Sequence, residues 1–373
     1  MQITKQILVI CTFLLLAGAC SSHSNETPKT ENDELNKLLQ QGTITTINLG
    51  SVPVDTVLAG EKNIMGKERA ASLDTSGTLV RAVDLVKVGD SLYVADAGQK
   101  SIWVMDNRGR WIRKVGRRGR GPDEFGSLNG IDANSRNIFT FDASNSRVQV
   151  YDKRLSLKAS FPHVAIPSNS RGIAVNDYAT YLLADYTEQN NLIEMKDTEK
   201  PFEKIGSFWS PIVPYGRQPL AYNNYVIAAN NTNKVALAFT GLPYVFILDE
   251  NQKVDVILYL RSSLWEKIKK ENPSVRSVEN ATPENSSVSA YLLHLHLADN
   301  GSLYLRTQDA FYTLKEEDGT YHLEEARKFM TNEKLLRGGS GPIRVPAGAM
   351  EVKNNTVYFA SGFTSYIYRF PLK

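Results

Sequence analysis

From Thr43 almost to Lys373 the chain runs in short stretches of alternating apolar and polar residues, rich in Val, Ile, Phe and Tyr and broken by Gly, Asn and Asp. Side chains along a strand point to opposite faces in turn, so this period of two predicts many short strands joined by tight turns. The stretches repeat. Residues 89–106 match residues 135–152 without a gap at an offset of 46, pairing Leu92 with Ile138, Tyr93 with Phe139, Asp96 with Asp142, Ile102 with Val148, Val104 with Val150 and Asp106 with Asp152. Each copy reads as a strand, a turn opened by Asp, a second strand and a second Asp-led turn. The unit returns, less faithfully, at 181–195, 236–249, 299–314 and 354–370. Six such units predict an all-β fold, a six-bladed β-propeller of four-stranded antiparallel blades. A lone blade cannot bury both its faces, whereas a closed ring leaves no end blade wet. The sixth unit stops at Phe370 without room for an outer strand. Residues 43–49 form a spare alternating strand at the other terminus, and we expect them to close the ring by pairing with the blade containing residues 350–370.

Two segments break the rhythm. Residues 207–232, rich in Pro, Tyr and Asn, read as long blade loops. Ser263 and Glu266 stand at the capping-box spacing, which predicts a short helix ending before Pro273 within residues 262–288. A further short helix is expected over residues 33–41, stopped by Gly42. Insertions tend to emerge on one face of a propeller, where binding surfaces are often built.

The N-terminus follows a different logic. Lys5 gives a minimal positive start, residues 7–16 form an apolar run too short to span a bilayer as a helix, and Leu16-Ala-Gly-Ala-Cys20 comes next. That run resembles a bacterial lipobox. The resemblance implies a signal peptide at residues 1–19, cleavage before Cys20, and lipidation of the Cys20 thiol and new amino group. Acyl chains contribute about 0.8 kcal/mol per buried methylene, so two or more anchor a protein stably to a membrane. Ser21 follows the cysteine, where lipoproteins kept at the inner membrane usually carry Asp. An outer-membrane lipoprotein is therefore expected, facing the periplasm or the cell surface. Residues 20–42 read as the lipidated Cys and a flexible tether, and residues 43–373 as the propeller.

Composition adds exclusions. The only cysteines are Cys11, in the removed segment, and Cys20, so the mature domain is expected to hold no thiol nucleophile, thiolate zinc site or disulfide. Net charge is only +3, which with an envelope location argues against nucleic acid as a partner.

Two motifs carry a family resemblance. Asp142-Ala-Ser-Asn145-Ser-Arg147-Val-Gln149-Val-Tyr-Asp152 resembles an NHL repeat, with its D-x-x-N-x-R-[IV]-Q-x-[FY]-D run. Gly116-Arg-Arg-Gly119-Arg-Gly121-Pro122-Asp-Glu124-Phe125 is similar to the G-R-x-G-x-G-P-x-E-[FY] segment of Bacteroidetes six-bladed, TolB-like propeller lipoproteins. The resemblance implies the fold and an envelope location for residues 43–373, and implies no activity.

Candidate chemistry is sparse. Arg108, Arg110, Arg113, Lys114, Arg117, Arg118 and Arg120 crowd one stretch without an acid. Arg forks on a Gly-rich loop suit an anionic ligand, so Arg117, Arg118 and Arg120 are the candidate ligand-binding residues, weighed against a strand and turn that merely leave their charges in water. Gly116, Gly119 and Gly121 lack the spacing and the following helix of a dinucleotide site, and Gly338-Gly-Ser-Gly-Pro342 lacks the last Gly of a nucleophile elbow. His294 and His296 share one strand face but have no further ligand motif. Asp96, Asp142 and Asp185 recur at one repeat position, as turn caps do, though a calcium-lined channel would also use carboxylates. No metal, cofactor or catalytic residue is therefore assigned. The expectation is a membrane-anchored, non-catalytic module binding a protein, peptide or glycan through loops on one face. The alternative is a calcium-dependent hydrolase, lactonase or lyase acting at the central channel, which would need carboxylates or histidines from several blades to converge there.

Overall fold

Each repeat unit folds as the second and third strands of a four-stranded antiparallel meander. The computed structural model describes residues 30, 32–69, 78–163, 172–183, 193–200, 203–209, 225–271, 290–331, 343–345, 348–360 and 366–372. The N-terminal chain supplies α1 (Asp33–Leu39) and strands β1 (Thr43–Asn48), β2 (Val54–Ala59), β3 (Ile64–Met65) and β4 (Glu68–Arg69). Blade 1 is β5–β8 (Ala82–Val88, Ser91–Asp96, Ser101–Met105, Arg110–Val115), followed by a small ladder of β9 (Arg117–Arg118) and β10 (Glu124–Phe125). Blade 2 is β11–β14 (Leu128–Ala133, Asn137–Asp142, Arg147–Asp152, Leu157–Pro162). Blade 3 is β15–β18 (Ile173–Val175, Ala179–Leu183, Ile193–Asp197, Lys204–Phe208). Blade 4 is β19–β22 (Tyr225–Ala229, Val235–Phe239, Tyr244–Leu248, Val254–Arg261), and α2 (Ser263–Glu271) follows it. Blade 5 is β23–β26 (Leu292–Leu297, Leu303–Thr307, Phe311–Glu317, Thr320–Thr331), with β27 (Ile343–Arg344) on β26. Blade 6 is β28–β30 (Ala349–Lys353, Thr356–Ala360, Ile367–Pro371) completed by β3. The inner strands β5, β11, β15, β19, β23 and β28 each touch the next, and β28 touches β5, so the ring is closed by packing between separate sheets.

Closure uses the N-terminal chain, but not the strand expected. Residues 43–49 do not complete blade 6. Instead β1 lies parallel to β22 on the outer edge of blade 4, with Thr43 opposite Val256 and Asn48 opposite Arg261. The chain then runs around the circumference. Strand β2 adds in parallel to β26 of blade 5, β3 pairs antiparallel with β30 of blade 6, and β4 adds in parallel to β8 of blade 1. The physical reason is edge length: β22 offers an eight-residue open edge to a six-residue strand, while blade 6 lacks only the short fourth strand that Ile64 and Met65 provide. The belt is pinned at both ends. Helix α1 forms where expected, capped by Asn32 Oδ1 on the Leu35 N–H at 2.9 Å, and buries Leu35, Leu38 and Leu39 in the largest core cluster. At the far end the Trp111 indole N–H donates to Gly66 O at 3.1 Å, and Trp111 packs edge-on against Trp103. Helix α2 also forms, although its first turn is capped by Ser262 Oγ, which accepts from the Trp265 N–H at 3.0 Å.

One face of the ring is stitched by asparagines in the turns that follow the inner strands. Asn176 Oδ1 accepts from the Tyr178 and Ala179 N–H groups, closing its own turn, while its Nδ2 donates to Asn230 O of blade 4 at 3.0 Å. Asn134 and Asn230 repeat the device, donating to Asn176 O and Ala298 O respectively. A second row runs outside it, where the N–H groups of Ser135, Asp177 and Asn231 donate to side-chain oxygens of Asp177, Asn231 and Asp299. The opposite face carries the connections between blades. The start of segment 207–232 and helix α2 at the start of 262–288 fall on that face, each following an outer strand, whereas residues 225–229 of the first segment are inner strand β19 rather than loop, and residues 230–232 lie in its asparagine turn.

Candidate functional site

The inner strands leave an axial chamber of about 340 Å³, opening toward the asparagine-turn face between Asn230, Asn300 and Asn354. Apolar strands surround it, yet seven acidic, basic or histidine residues from four blades line it. Besides Lys87, Asp299 and Lys353, they are Asp84 of blade 1, Asp132 of blade 2, His296 of blade 5 and Glu351 of blade 6. Pairing register puts three of them at one height. Asp132 lies opposite Phe139, His296 opposite Tyr304 and Glu351 opposite Tyr358, which are equivalent positions in their repeat units.

Asp84, Asp132, His296 and Glu351 also tie their blades to neighbours. Asp84 accepts from the Leu85 N–H at 2.9 Å and from the Ile131 N–H of blade 2 at 3.1 Å. Asp132 does the same one blade on, accepting from Ala133 at 2.8 Å and Val175 of blade 3 at 2.7 Å. His296 Nδ1 stands 3.3 Å from Glu351 Oε2, joining blades 5 and 6. Burial pushes the Asp132 carboxyl well above the ordinary carboxylate range, and the negative fields of Glu351 and Asp84 add to the rise against the two backbone donors. An axial carboxyl that holds its proton more tightly than usual, opposite an imidazole–carboxylate pair, is an arrangement able to give and take protons. Among the described residues no group of three or more His, Cys, Asp or Glu is arranged to hold a metal ion.

The raised Asp132 has a measurable consequence. The unfolded group titrates near about 3.9, so between that value and its higher native value the folded protein holds the extra proton. By linkage stability falls as pH rises through this window. Asp132→Asn is expected to lose that dependence, so that wild type weakens relative to it between pH values just above the unfolded value and neutrality. Urea midpoints of both proteins across that range test this, and parallel curves would count against a protonated native Asp132.

The residues expected from sequence lie elsewhere. Arg117, Arg118 and Arg120 are on the face opposite the chamber mouth, in the loop between blades 1 and 2, and all three are exposed. Arg117 Nε donates to Glu124 Oε1 at 2.9 Å, and Glu124 Oε2 accepts from the Gly121 N–H at 2.8 Å. The Gly121 N–H first, and then Arg117, hold the Glu124 carboxyl below its usual range. The two sequence motifs are halves of one latch. Asn145 Nδ2 donates to Gly119 O, Arg147 Nη2 donates to Gly121 O and Glu124 O, and Gln149 Nε2 donates to Glu124 O, all within 2.7–3.1 Å. Gly116 is required there, since at φ 102° an added Cβ would come within 2.6 Å of the Phe125 ring. Asp96 and Asp142 cap turns rather than line the channel. Asp96 accepts from the N–H groups of Val80, Arg81, Gly98 and Gln99, and Asp142 from those of Gly126 and Ser127. His296 faces the axis while His294 is buried. Cys20, Asp185 and residues 338–342 lie outside the described residues.

The axial set escapes a reading of the repeat units, which hold only the second and third strands. Its signal is an acidic residue set among apolar neighbours in a first strand, as Asp84 in Ala82–Val88 or Glu351 in Ala349–Lys353, strands that also carry Lys87 and Lys353.

No curated relative matches the sequence. Among solved structures, U3-55K is similar over 80% of this chain and 97% of its own, at 8% identity and TM-score 0.50. A Bacteroides fragilis protein whose name classes it as exported aligns over 76% and 80% of the two chains at 13% identity and TM-score 0.47. Virginiamycin B lyase from Staphylococcus aureus aligns over 78% and 80% at 12% identity and TM-score 0.43. At such identities likeness bears at most on fold. The chain is thus a six-bladed β-propeller by its own topology, and its residues 72–209 match the model of a protein family described as a 6-bladed beta-propeller.

Proposed function

We propose that the protein is a bacterial envelope lipoprotein whose propeller binds the polar end of a peptide or glycan in the axial chamber. One observation carries this reading: ionisable groups from four blades converge on a chamber of ligand-accessible size at the ring axis. Holding the Asp132 carboxyl where burial disfavours its charge is costly for stability alone, and such cost is commonly met at functional sites. The chamber is polar, with Asn230, Asn300 and Asn354 at its mouth, which suits hydroxyl, amide or ammonium groups. Export and anchoring at the outer membrane through Cys20, and kinship with the TolB-like and NHL-like Bacteroidetes propeller lipoproteins, are supported by the lipobox and by the motifs at 116–125 and 142–152. The stretch from Cys20 to Asn32 reaches at most about 40 Å when extended, so the domain would stay close to the bilayer.

Binding is tested by screening the purified domain for thermal stabilisation by defined peptides and oligosaccharides. For any ligand found, Glu351→Gln removes a charged partner and is expected to weaken binding about 10- to 100-fold. Ligands that bind Glu351→Gln, Asp132→Asn and wild type alike would place the site elsewhere. Anchoring is tested separately, since Cys20→Ser should move the protein from the membrane to the soluble fraction and abolish acyl labelling.

Acid–base catalysis in the same chamber is a second reading, favoured by the raised Asp132 facing the His296–Glu351 pair. It requires that a bound ligand be recovered chemically altered from wild type and unaltered from Asp132→Asn. Unaltered recovery from both leaves binding as the function.

A further inference from the structure

On the face opposite the chamber, three cations from three separate segments gather and outnumber the two buried carboxylates, Asp96 and Asp142, whose fields reach them. Arg81 precedes β5, Lys100 sits in the β6–β7 turn, and Arg118 lies on β9. Their backbones are drawn together by the fold. The Arg81 N–H donates to Asp96 Oδ1 at 2.9 Å, Asp96 opens the turn that carries Lys100, and the Lys100 carbonyl lies 3.1 Å from where a Cβ on Gly116 would stand, two residues before Arg118.

The two acids whose fields reach Lys100 are buried and engaged by hydrogen-bond donors. Asp96 accepts four backbone N–H groups. Asp142 accepts from Gly126, Ser127 and Asn145, and Glu124 is taken by Arg117 and Gly121. Burial first, then the fields of Arg81 and Arg118, lower the Lys100 pKa against the opposing fields of Asp142 and Asp96. The turn itself does not demand a lysine. Lys100 has φ 55°, and its repeat equivalent Ser146 adopts φ 48° with a neutral side chain. The backbone shape therefore belongs to the repeat, whereas the cation belongs to this position.

We propose that Arg81, Lys100 and Arg118 form a binding site for a tetrahedral oxyanion, the phosphoryl or sulfo group of a larger ligand. Two guanidinium forks supply paired N–H donors and the ammonium a point charge, a donor set that matches three equatorial oxygens. The site is independent of the axial chamber and on the other face. Of the expected Arg117, Arg118 and Arg120 it keeps Arg118, and puts Arg81 and Lys100 in place of Arg120 and of Arg117, which is paired with Glu124.

The test titrates the isotope-labelled domain at low salt with inorganic phosphate, inorganic sulfate and glucose 6-phosphate. In parallel arms it meets vesicles of phosphatidylcholine with and without phosphatidic acid. Arg81→Ala and Arg118→Ala should each weaken binding about tenfold or more, the effect of losing one charge-assisted fork. Arg154→Ala, which removes a distant exposed cation, should change it less than about threefold. Backbone spectra confirm that each variant is folded. Binding of the soluble ester assigns a soluble source, and binding only to phosphatidic acid vesicles assigns a lipid headgroup. No binding in any arm, or equal losses in Arg118→Ala and Arg154→Ala, would overturn the site.

Discussion

A chain lacking residues 1–69 is expected to lose the closed monomeric fold, whereas one starting at Thr30 keeps it. The belt carries the outer strand of blade 6 and parallel strands on blades 4, 5 and 1. It also buries Leu35, Leu38, Leu39, Ile47, Leu49 and Met65. At roughly 1.5–3 kcal/mol for each fully buried side chain, these contribute on the order of 10 kcal/mol. That equals the entire margin of about 5–15 kcal/mol by which domains are stable. Losing the belt also bares the long edges of β22 and β26, which invite pairing between molecules. Size-exclusion chromatography and thermal melts monitored by circular dichroism provide the readout. A monomeric truncated chain with the melting profile of the longer one would show the belt to be ornamental.

Asn176→Asp is expected to destabilise the protein by about 2–4 kcal/mol at neutral pH, because it leaves a buried acceptor without its donor and adds a buried charge. The exchange keeps shape and keeps the oxygen that accepts from Tyr178 and Ala179. It removes the N–H that reaches Asn230 O, and sets a carboxylate oxygen 3.0 Å from that carbonyl instead. Asn176 is only 1% exposed, so water cannot relieve the clash. The sign with pH follows. Burial and the facing carbonyl raise the carboxyl's native pKa above its unfolded value near about 3.9. The penalty is thus absent below that value, where the protonated acid can donate to Asn230 O, and grows as pH rises. Asn176→Ala loses the cap at every pH and should stay destabilised throughout. Urea denaturation of both variants against wild type, at acidic and neutral pH, separates the two. An Asp variant as unstable in acid as at neutrality would mean that the inter-blade donor is unimportant.

Much of the fold was legible because repeats expose their own logic. The pairing of Asp96 with Asp142 in the sequence is the pairing of two turn caps in space, and the strands between them fall where alternation put them. The motif halves at 116–125 and 142–152 were visible, but their contact was not, because it joins a loop to side chains on the next blade. The closing strand differs from the expected one for a related reason. Alternation in residues 43–49 marks a strand without naming the edge it will find, and several outer edges were open to it. The axial groups were harder still. Asp84, Asp132, His296 and Glu351 stand far apart in the chain and look like isolated charges in apolar runs.

The sequence alone determined that this chain is built from six β units, since period-two alternation and a repeating Asp-led turn are local properties that each segment carries by itself. It also determined the short helices, whose caps and apolar spacing act within a few residues. Only the tertiary structure decided which edges the N-terminal belt covers, which cations meet on one face and which carboxylates meet on the axis. Those outcomes depend on ring geometry, where residues distant in sequence become neighbours through the angle at which each blade packs on the next.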